Sequence, residues 1–214
     1  MLRFRDRAEA GVELGERLAE DYADRDDVLA LALPRGGVVV GREVARLLGA
    51  PLDVLVVRKL GFPGQDELAM GAIASGGARV LNEELLAQTG LPHDRVETVV
   101  ARELEELARR EELYRGDRPA PDVSGKTVIV VDDGLATGST MLAAVQALRS
   151  QAPARIVVAV PTAPPQTCSA LEQVADEVVC LRQPYPFYAV GLSYEDFSEV
   201  DDAEVRRLLE QPSA

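Results

Sequence analysis

The chain has 214 residues, a formal net charge of −13, a single histidine and no tryptophan. That length suits one large domain, and with aromatics at only 4% its core must be built from Val, Leu and Ala. The acidic balance excludes a general nucleic-acid or anionic-membrane binder, which needs a basic face, so any anion site must be assembled locally from a few cations and backbone N–H groups.

In chain order, residues 5–22 read as an amphipathic helix with Val12, Leu14 and Leu18 among its apolar positions. The opening stretch MLRFRDRAEAG is charged and has no apolar h-region, and no apolar run reaches membrane-spanning length. A soluble, cytoplasmic protein is therefore expected. Residues 28–33 form a short apolar run with the character of a buried strand, ended by the turn signal Pro34-Arg35-Gly36-Gly37. A helix over 38–48 and a second strand over 53–57 follow, and Arg58 and Lys59 leave that strand together. The stretch 61–77, rich in glycine, reads as a long loop interrupted by a short apolar piece, with a further short strand at 79–81.

A long helix is predicted over 94–114, with Val100, Leu104, Leu107 and Tyr114 on one stripe. That stripe could cover the chain's own core or a second copy in a homodimer. Residues 115–124 form a connector. The clearest strand, 126–131, runs into the clearest helix, 137–150, and then come a strand at 156–160, a helix at 164–174 and a strand at 177–181. A segment rich in Tyr and Pro, 184–197, and a helix at 201–209 close the chain. Cys168 and Cys180 form no CxxC unit and His93 stands alone, so a zinc site is not expected. Strands alternating with helices, with buried runs of Val and Leu, predict an α/β fold: a parallel β-sheet flanked by helices, in one domain over 1–214. In such sheets ligands sit at the carboxyl ends of strands. Three loops are candidates: Pro34 to Gly37, the stretch from Arg58 to Gly77, and Asp132 to Thr140.

The last of these carries the strongest signal. A buried strand delivers two adjacent carboxylates, Asp132 and Asp133, and then come Gly134, Gly138 and the hydroxyls of Thr137, Ser139 and Thr140 where a helix begins. Free N–H groups at a helix start hold anions, and glycines allow close approach to a phosphate. Two acids just before such a site would repel a bare phosphate. They suit a ligand that also presents hydroxyls or a divalent cation, as a ribose 5-phosphate does.

The run Val130-Val-Asp-Asp-Gly-Leu-Ala-Thr-Gly-Ser-Thr140 resembles the PRPP-binding signature of type I phosphoribosyltransferases. The resemblance implies transfer of a 5-phosphoribosyl group from PRPP to a nitrogen nucleophile, a nucleobase above all, or else a non-catalytic PRPP sensor on the same fold. It implies ribose contacts from Asp132 and Asp133, and phosphate contacts from Ala136, Thr137, Gly138, Ser139 and Thr140. Pro34-Arg35-Gly36-Gly37 resembles the family's pyrophosphate loop, which often contains a non-proline cis peptide, so Arg35, Gly36 and Gly37 are assigned to pyrophosphate. Arg58 and Lys59 are expected to neutralise the leaving pyrophosphate as catalytic cations. The glycine-rich stretch 61–77 resembles the family's mobile catalytic loop; Gln65, Asp66 and Glu67 lie in it without an assigned role.

Residues 187–197 resemble the base-binding hood of 6-oxopurine phosphoribosyltransferases, giving a small hood over about 182–200. Phe187 or Tyr188 would stack on a base. Ser193 stands where those enzymes place one acid, and Ala136 where they place another that handles the base's ring proton. The implied cofactor is Mg²⁺, held mainly by PRPP with no direct protein ligand. The implied partners are PRPP and a small-molecule acceptor, with no nucleic acid and no membrane.

Overall fold

The computed structural model describes residues 3–210; the side chains of Gln65, Asp66 and Glu67 lie outside the described residues, so their sequence reading is left there. Helix α1 (Arg7–Tyr22) starts two residues later than its periodicity suggests, because the Asp6 carboxylate accepts from the Glu9 N–H and caps it. Then come β1 (Val28–Ala32), α2 (Gly36–Leu48) and β2 (Leu52–Val54). The later half of the chain supplies β6 (Thr127–Val131), α5 (Ser139–Arg149), β7 (Arg155–Thr162), α6 (Pro165–Leu171) and β8 (Glu177–Arg182). These five strands form one parallel sheet in the order β2-β1-β6-β7-β8. Every residue of β1 and β6 is buried, as a sheet covered on both faces demands. Chain order reverses between β1 and β6, so the crevice outside their carboxyl ends is a topological switch point.

Between β2 and β6 the structure corrects the sequence reading. The apolar run 53–57 is not one strand. It leaves the parallel sheet after Val54, with the Val56 N–H donating to the Ser75 hydroxyl, and enters a second, antiparallel sheet of β3 (Val57–Phe62), β4 (Gln65–Ala74) and β5 (Ala78–Leu81). Most of the expected long loop is thus strand. The glycines that suggested a loop mark sheet irregularities instead. Gly61 sits at a register shift between β3 and β4, and a Cβ on Gly71 would lie 2.3 Å from the Val80 carbonyl oxygen. The β4 residues Met70, Ala72, Ile73 and Ala74 are all buried, so no clean period-two alternation marks this strand, and its small side chains lower the hydrophobicity count.

A short helix α3 (Glu83–Thr89), capped by the Asn82 side chain, precedes the long α4 (His93–Arg115). The α4 seam is Val96, Val100, Leu107 and Tyr114, with the buried Glu103 among them; Leu104 faces outward at 43% exposure. The helix stripe therefore covers this chain's own core, packing on β3, β4 and α7 (Asp202–Glu210). Glu103 replaces an apolar residue in that seam because Arg58, from β3, donates to it through Nε and Nη2 at 2.9 and 2.6 Å. None of the described helices is long and apolar enough to cross a membrane.

Because Gly71 faces a backbone oxygen that cannot rotate away, Gly71→Val should destabilise the fold by about 1–3 kcal/mol. Urea unfolding should show a lower midpoint with an unchanged slope.

Candidate functional site

Two loops leave the parallel sheet side by side at the switch point. One runs from β1 through Leu33, Pro34 and Arg35 into α2, and its Pro34–Arg35 peptide is cis, as in the family the loop resembles. The other runs from β6 through 132–138 into α5. Neither helix has a side-chain cap at its N-cap residue, Arg35 for α2 and Gly138 for α5. At the start of α5 the Ser139 N–H instead donates to the Thr137 hydroxyl at 3.4 Å, and that hydroxyl donates to the Ser139 hydroxyl at 3.2 Å. The N-terminal ends of both helices adjoin the crevice, where an anion is favoured. Gly138 takes a left-handed conformation (φ 71°) that a side chain would resist, and a Cβ there would also strike the Thr167 methyl at 2.5 Å. Thr167, on α6, holds the loop from behind by donating its hydroxyl to the Ala136 carbonyl at 2.7 Å. Ala136, Thr137 and Thr140 remain exposed on the crevice side and Ser139 half-buried.

Asp132 and Asp133 stand where β6 ends, both partly buried. The Asp133 N–H donates to Asp132 Oδ1 at 2.8 Å. Burial raises the Asp132 carboxyl well above the ordinary carboxylate range, and the adjacent Asp133 charge raises it further. Asp133 is raised by burial too, but the Arg7 guanidinium opposes the shift. Arg7 Nε donates to Asp133 Oδ2 at 2.7 Å, with the two side chains only 10% and 14% exposed. Arg7 is itself fixed: Nη1 donates to the Ser198 carbonyl at 2.7 Å, and its guanidinium lies 3.8 Å from the Phe197 ring centroid. The Tyr194 hydroxyl donates to the Asp133 carbonyl.

Gly36 and Gly37 close the other side of the pair. A Cβ on Gly36 would fall 1.9 Å from Asp133 Oδ2, and one on Gly37 3.0 Å from Asp132 Oδ1. The two loops thus interlock, and only glycine fits at the contact. Carboxylate oxygens suit Mg²⁺, but the described residues hold no cluster of three or more potential ligands, and Arg7 occupies Asp133. The donor set fits an ion carried mainly by a ligand's own oxygens, with Asp132 as the nearest protein carboxylate.

The three expected cations fare differently. Lys59 reaches the start of α5, its Nζ 3.4 Å from Ser139 Oγ. Arg58 is bound to Glu103, because adjacent residues of a strand point to opposite faces and a sequential pair cannot converge on one ligand. Arg35 pairs with Glu199 at 2.7 Å. A cleft of about 790 Å³ starts at Lys59, Thr137 and Ser139 and runs between α5 and the second sheet.

The hood segment carries a short 3-10 turn, Val190–Ser193. Its Tyr194 is buried, with ring centroids 5.5 Å from Phe4 and 5.0 Å from Phe197. Phe187 and Tyr188 instead line a smaller cleft of about 230 Å³, with Tyr188 79% exposed. Sequence reasoning missed Arg7, Thr167 and Tyr194. Arg7 lies 126 residues from its partner, and no local pattern links the two.

The family model for the phosphoribosyl transferase domain matches residues 7–196. The chain is 45% identical over 208 residues to the Mycobacterium tuberculosis protein named "Putative phosphoribosyl transferase Rv0571c". That match covers 97% of this chain and 46% of the relative, so the chain spans about half the length of that curated relative. Among solved structures, TT1426 from Thermus thermophilus is 45% identical with a TM-score of 0.87, covering 97% of this chain and 98% of that one. AQ2163 from Aquifex aeolicus shares the fold at 12% identity and a TM-score of 0.54, over 95% of this chain and 85% of that one.

A carboxyl whose pKa is raised by folding costs stability once the unfolded chain has ionised. For Asp132 the cost is absent below about pH 4 and grows as pH rises towards the folded-state value. Asp132→Asn keeps an acceptor for the Asp133 N–H and removes that cost. Thermal melts should show the variant gaining stability over the parent at about pH 7 and little or nothing at about pH 4.

Proposed function

Because the chain belongs to the phosphoribosyl transferase domain family, we propose that it transfers the 5-phosphoribosyl group of PRPP to a nitrogen nucleophile, a nucleobase in the first instance, and releases pyrophosphate. The observation that carries this reading is the convergence of two helix N-termini, neither with a side-chain cap from its N-cap residue, and a recessed carboxylate pair on one crevice. A ligand anionic at both ends with a vicinal diol between them complements that layout. The phosphate would lie on the N–H groups and hydroxyls of Ala136, Thr137, Gly138, Ser139 and Thr140. Asp132 would accept from the ribose diol, with Asp133 beside it held by Arg7. The backbone of Arg35, Gly36 and Gly37 would face the pyrophosphate.

The acceptor nitrogen's lone pair forms the bond to C1′ while the C1′–oxygen bond breaks, and pyrophosphate leaves with that bonding pair. The protein's share is positioning and electrostatics. Bound with PRPP, Mg²⁺ would supply charge neutralisation on the departing pyrophosphate. Lys59 is the cation placed to share that task from the protein side. Arg58 acts first on the fold, through Glu103.

A second reading has specific support. Arg35 and Arg58 are both engaged by glutamates, which leaves Lys59 alone of the three expected cations beside the phosphate loop. A PRPP-binding regulator that performs no transfer would tolerate that arrangement.

Calorimetric titration with PRPP and Mg²⁺, followed by pyrophosphate release across a panel of free nucleobases, separates the two. Binding with release establishes transfer. Binding with no release for any acceptor favours the regulator, and no binding overturns both. The paired variant Asp132→Asn with Asp133→Asn should lose nearly all turnover while retaining its melting transition; full activity would remove the diol assignment. Lys59→Met should lower turnover by about tenfold or more with little change in melting temperature, whereas Arg58→Met should lower the melting temperature by leaving the buried Glu103 with the exposed Arg102 as its remaining ion-pair partner.

A further inference from the structure

The cleft that opens at Lys59, Thr137 and Ser139 holds about 790 Å³, within the ~300–1,000 Å³ of small-molecule sites, and phosphoribosyl transfer uses only its mouth. From there it follows one face of α5, past Leu142 and Gln146 to Arg149, residues spaced three or four apart. It therefore leads along the helix away from its N-terminal end, whereas Phe187 and Tyr188 line a separate cleft. In a chain of net charge −13, no carboxylate is among the described residues that line it.

Its walls have a definite chemistry. On β4, Ala69, Gly71 and Ala72 carry no side chain beyond Cβ, so that wall is flat. Val80 and Leu81 on β5 and Leu142 on α5 add aliphatic contact, and a slot of this kind accepts a planar ring. The polar groups lie towards the two ends. At the mouth, Lys59 Nζ is 3.4 Å from Ser139 Oγ and forms no ion pair among the described residues, so an anion is favoured there. Further in, the exposed Gln146 amide has no hydrogen-bond partner among the described residues. Arg149, at the far end, is already engaged: Nη1 pairs with Asp176 at 2.9 Å and Nη2 donates to the Val174 carbonyl at 3.0 Å. It closes the cleft and offers a ligand no uncommitted charge.

Resting on the assignment of residues 136–140 to a phosphate, we propose that this cleft binds an adenine nucleotide as an effector that competes with PRPP. The nucleotide's phosphate takes the mouth, at Lys59, Thr137 and Ser139, and its base lies along α5 in the flat slot. Gln146 follows Ser139 by two helical turns, roughly 10 Å along the axis, about the span from a 5′-phosphate to the outer edge of its base. An amide there accepts from the adenine amino group and donates to N7. Guanine shows two acceptors on the same edge and suits a guanidinium, but the one beside the slot is held by Asp176. One phosphate loop cannot hold two phosphates, so the nucleotide excludes PRPP without touching the hood.

The test is calorimetric titration of the full chain with AMP, GMP and ribose 5-phosphate, each alone and against PRPP with Mg²⁺. AMP should bind about tenfold or more tighter than GMP or ribose 5-phosphate, and PRPP should displace it. Gln146→Leu, at an exposed position, should weaken AMP by about tenfold and leave PRPP affinity unchanged, and Gln146→Arg should turn the preference towards GMP. AMP binding no tighter than ribose 5-phosphate or GMP overturns the proposal, as does simultaneous binding of AMP and PRPP. So does AMP binding that Gln146→Leu leaves intact while Tyr188→Ala weakens it, which would seat the base at the hood. PRPP binding without AMP binding leaves the transfer reading standing and removes the effector, whereas AMP binding that depends on Gln146 in a chain that does not bind PRPP does the reverse.

Discussion

Two neighbouring carboxylates at the end of a buried strand are an electrostatic burden, and much of the surrounding structure answers to it. Asp132 and Asp133 repel each other, have lost part of their water, and cannot move far apart because they are consecutive residues directly after β6. The fold does not neutralise them fully. It gives Asp133 a guanidinium and leaves Asp132 with one backbone N–H. The pair thereby becomes unequal: Asp133 is anchored to the scaffold by Arg7, and Asp132 is not. Groups held at a cost to stability in a crevice are what a site built for hydroxyls or a ligand-borne cation requires.

The rest of the molecule explains how that arrangement is kept. The parallel sheet puts β1 and β6 next to each other, so their loops meet at the point where chain order reverses. Gly36 and Gly37 let those loops touch without a side chain between them. Thr167 braces one loop from α6, and Tyr194, Phe197 and Ser198 brace the other side through Arg7 and the Asp133 carbonyl. The antiparallel sheet then brings Lys59 to the start of α5 from across the crevice.

What could be read from the sequence was whatever short-range pattern encodes. The strand and loop from Thr127 to Thr140 were legible because apolar run, acids, glycines and hydroxyls follow one another without a gap. The parallel sheet was legible from the alternation of elements. The antiparallel sheet was not, because glycine and alanine at Gly61, Ala69, Gly71 and Ala72 lower the hydrophobic contrast that marks a strand while allowing close cross-strand packing. Arg58 and Lys59 looked like a matched pair in one dimension and separate in three, since strand geometry sends them to opposite faces. Arg7 was invisible for the opposite reason: its partner is near in space and remote in sequence, and an arginine at the start of an amphipathic helix looks like any other solvated charge.

The link from Arg7 to Asp133 has a consequence for how the molecule is made. Helix α1 is synthesised well ahead of the residues that fix its arginine against Asp133, Phe197 and Ser198 among them. Until they emerge, the parallel sheet can assemble with its carboxylate pair poorly compensated. A nascent chain would thus hold the parallel sheet before it holds a finished crevice, and the crevice would be completed in a separate step of biosynthesis.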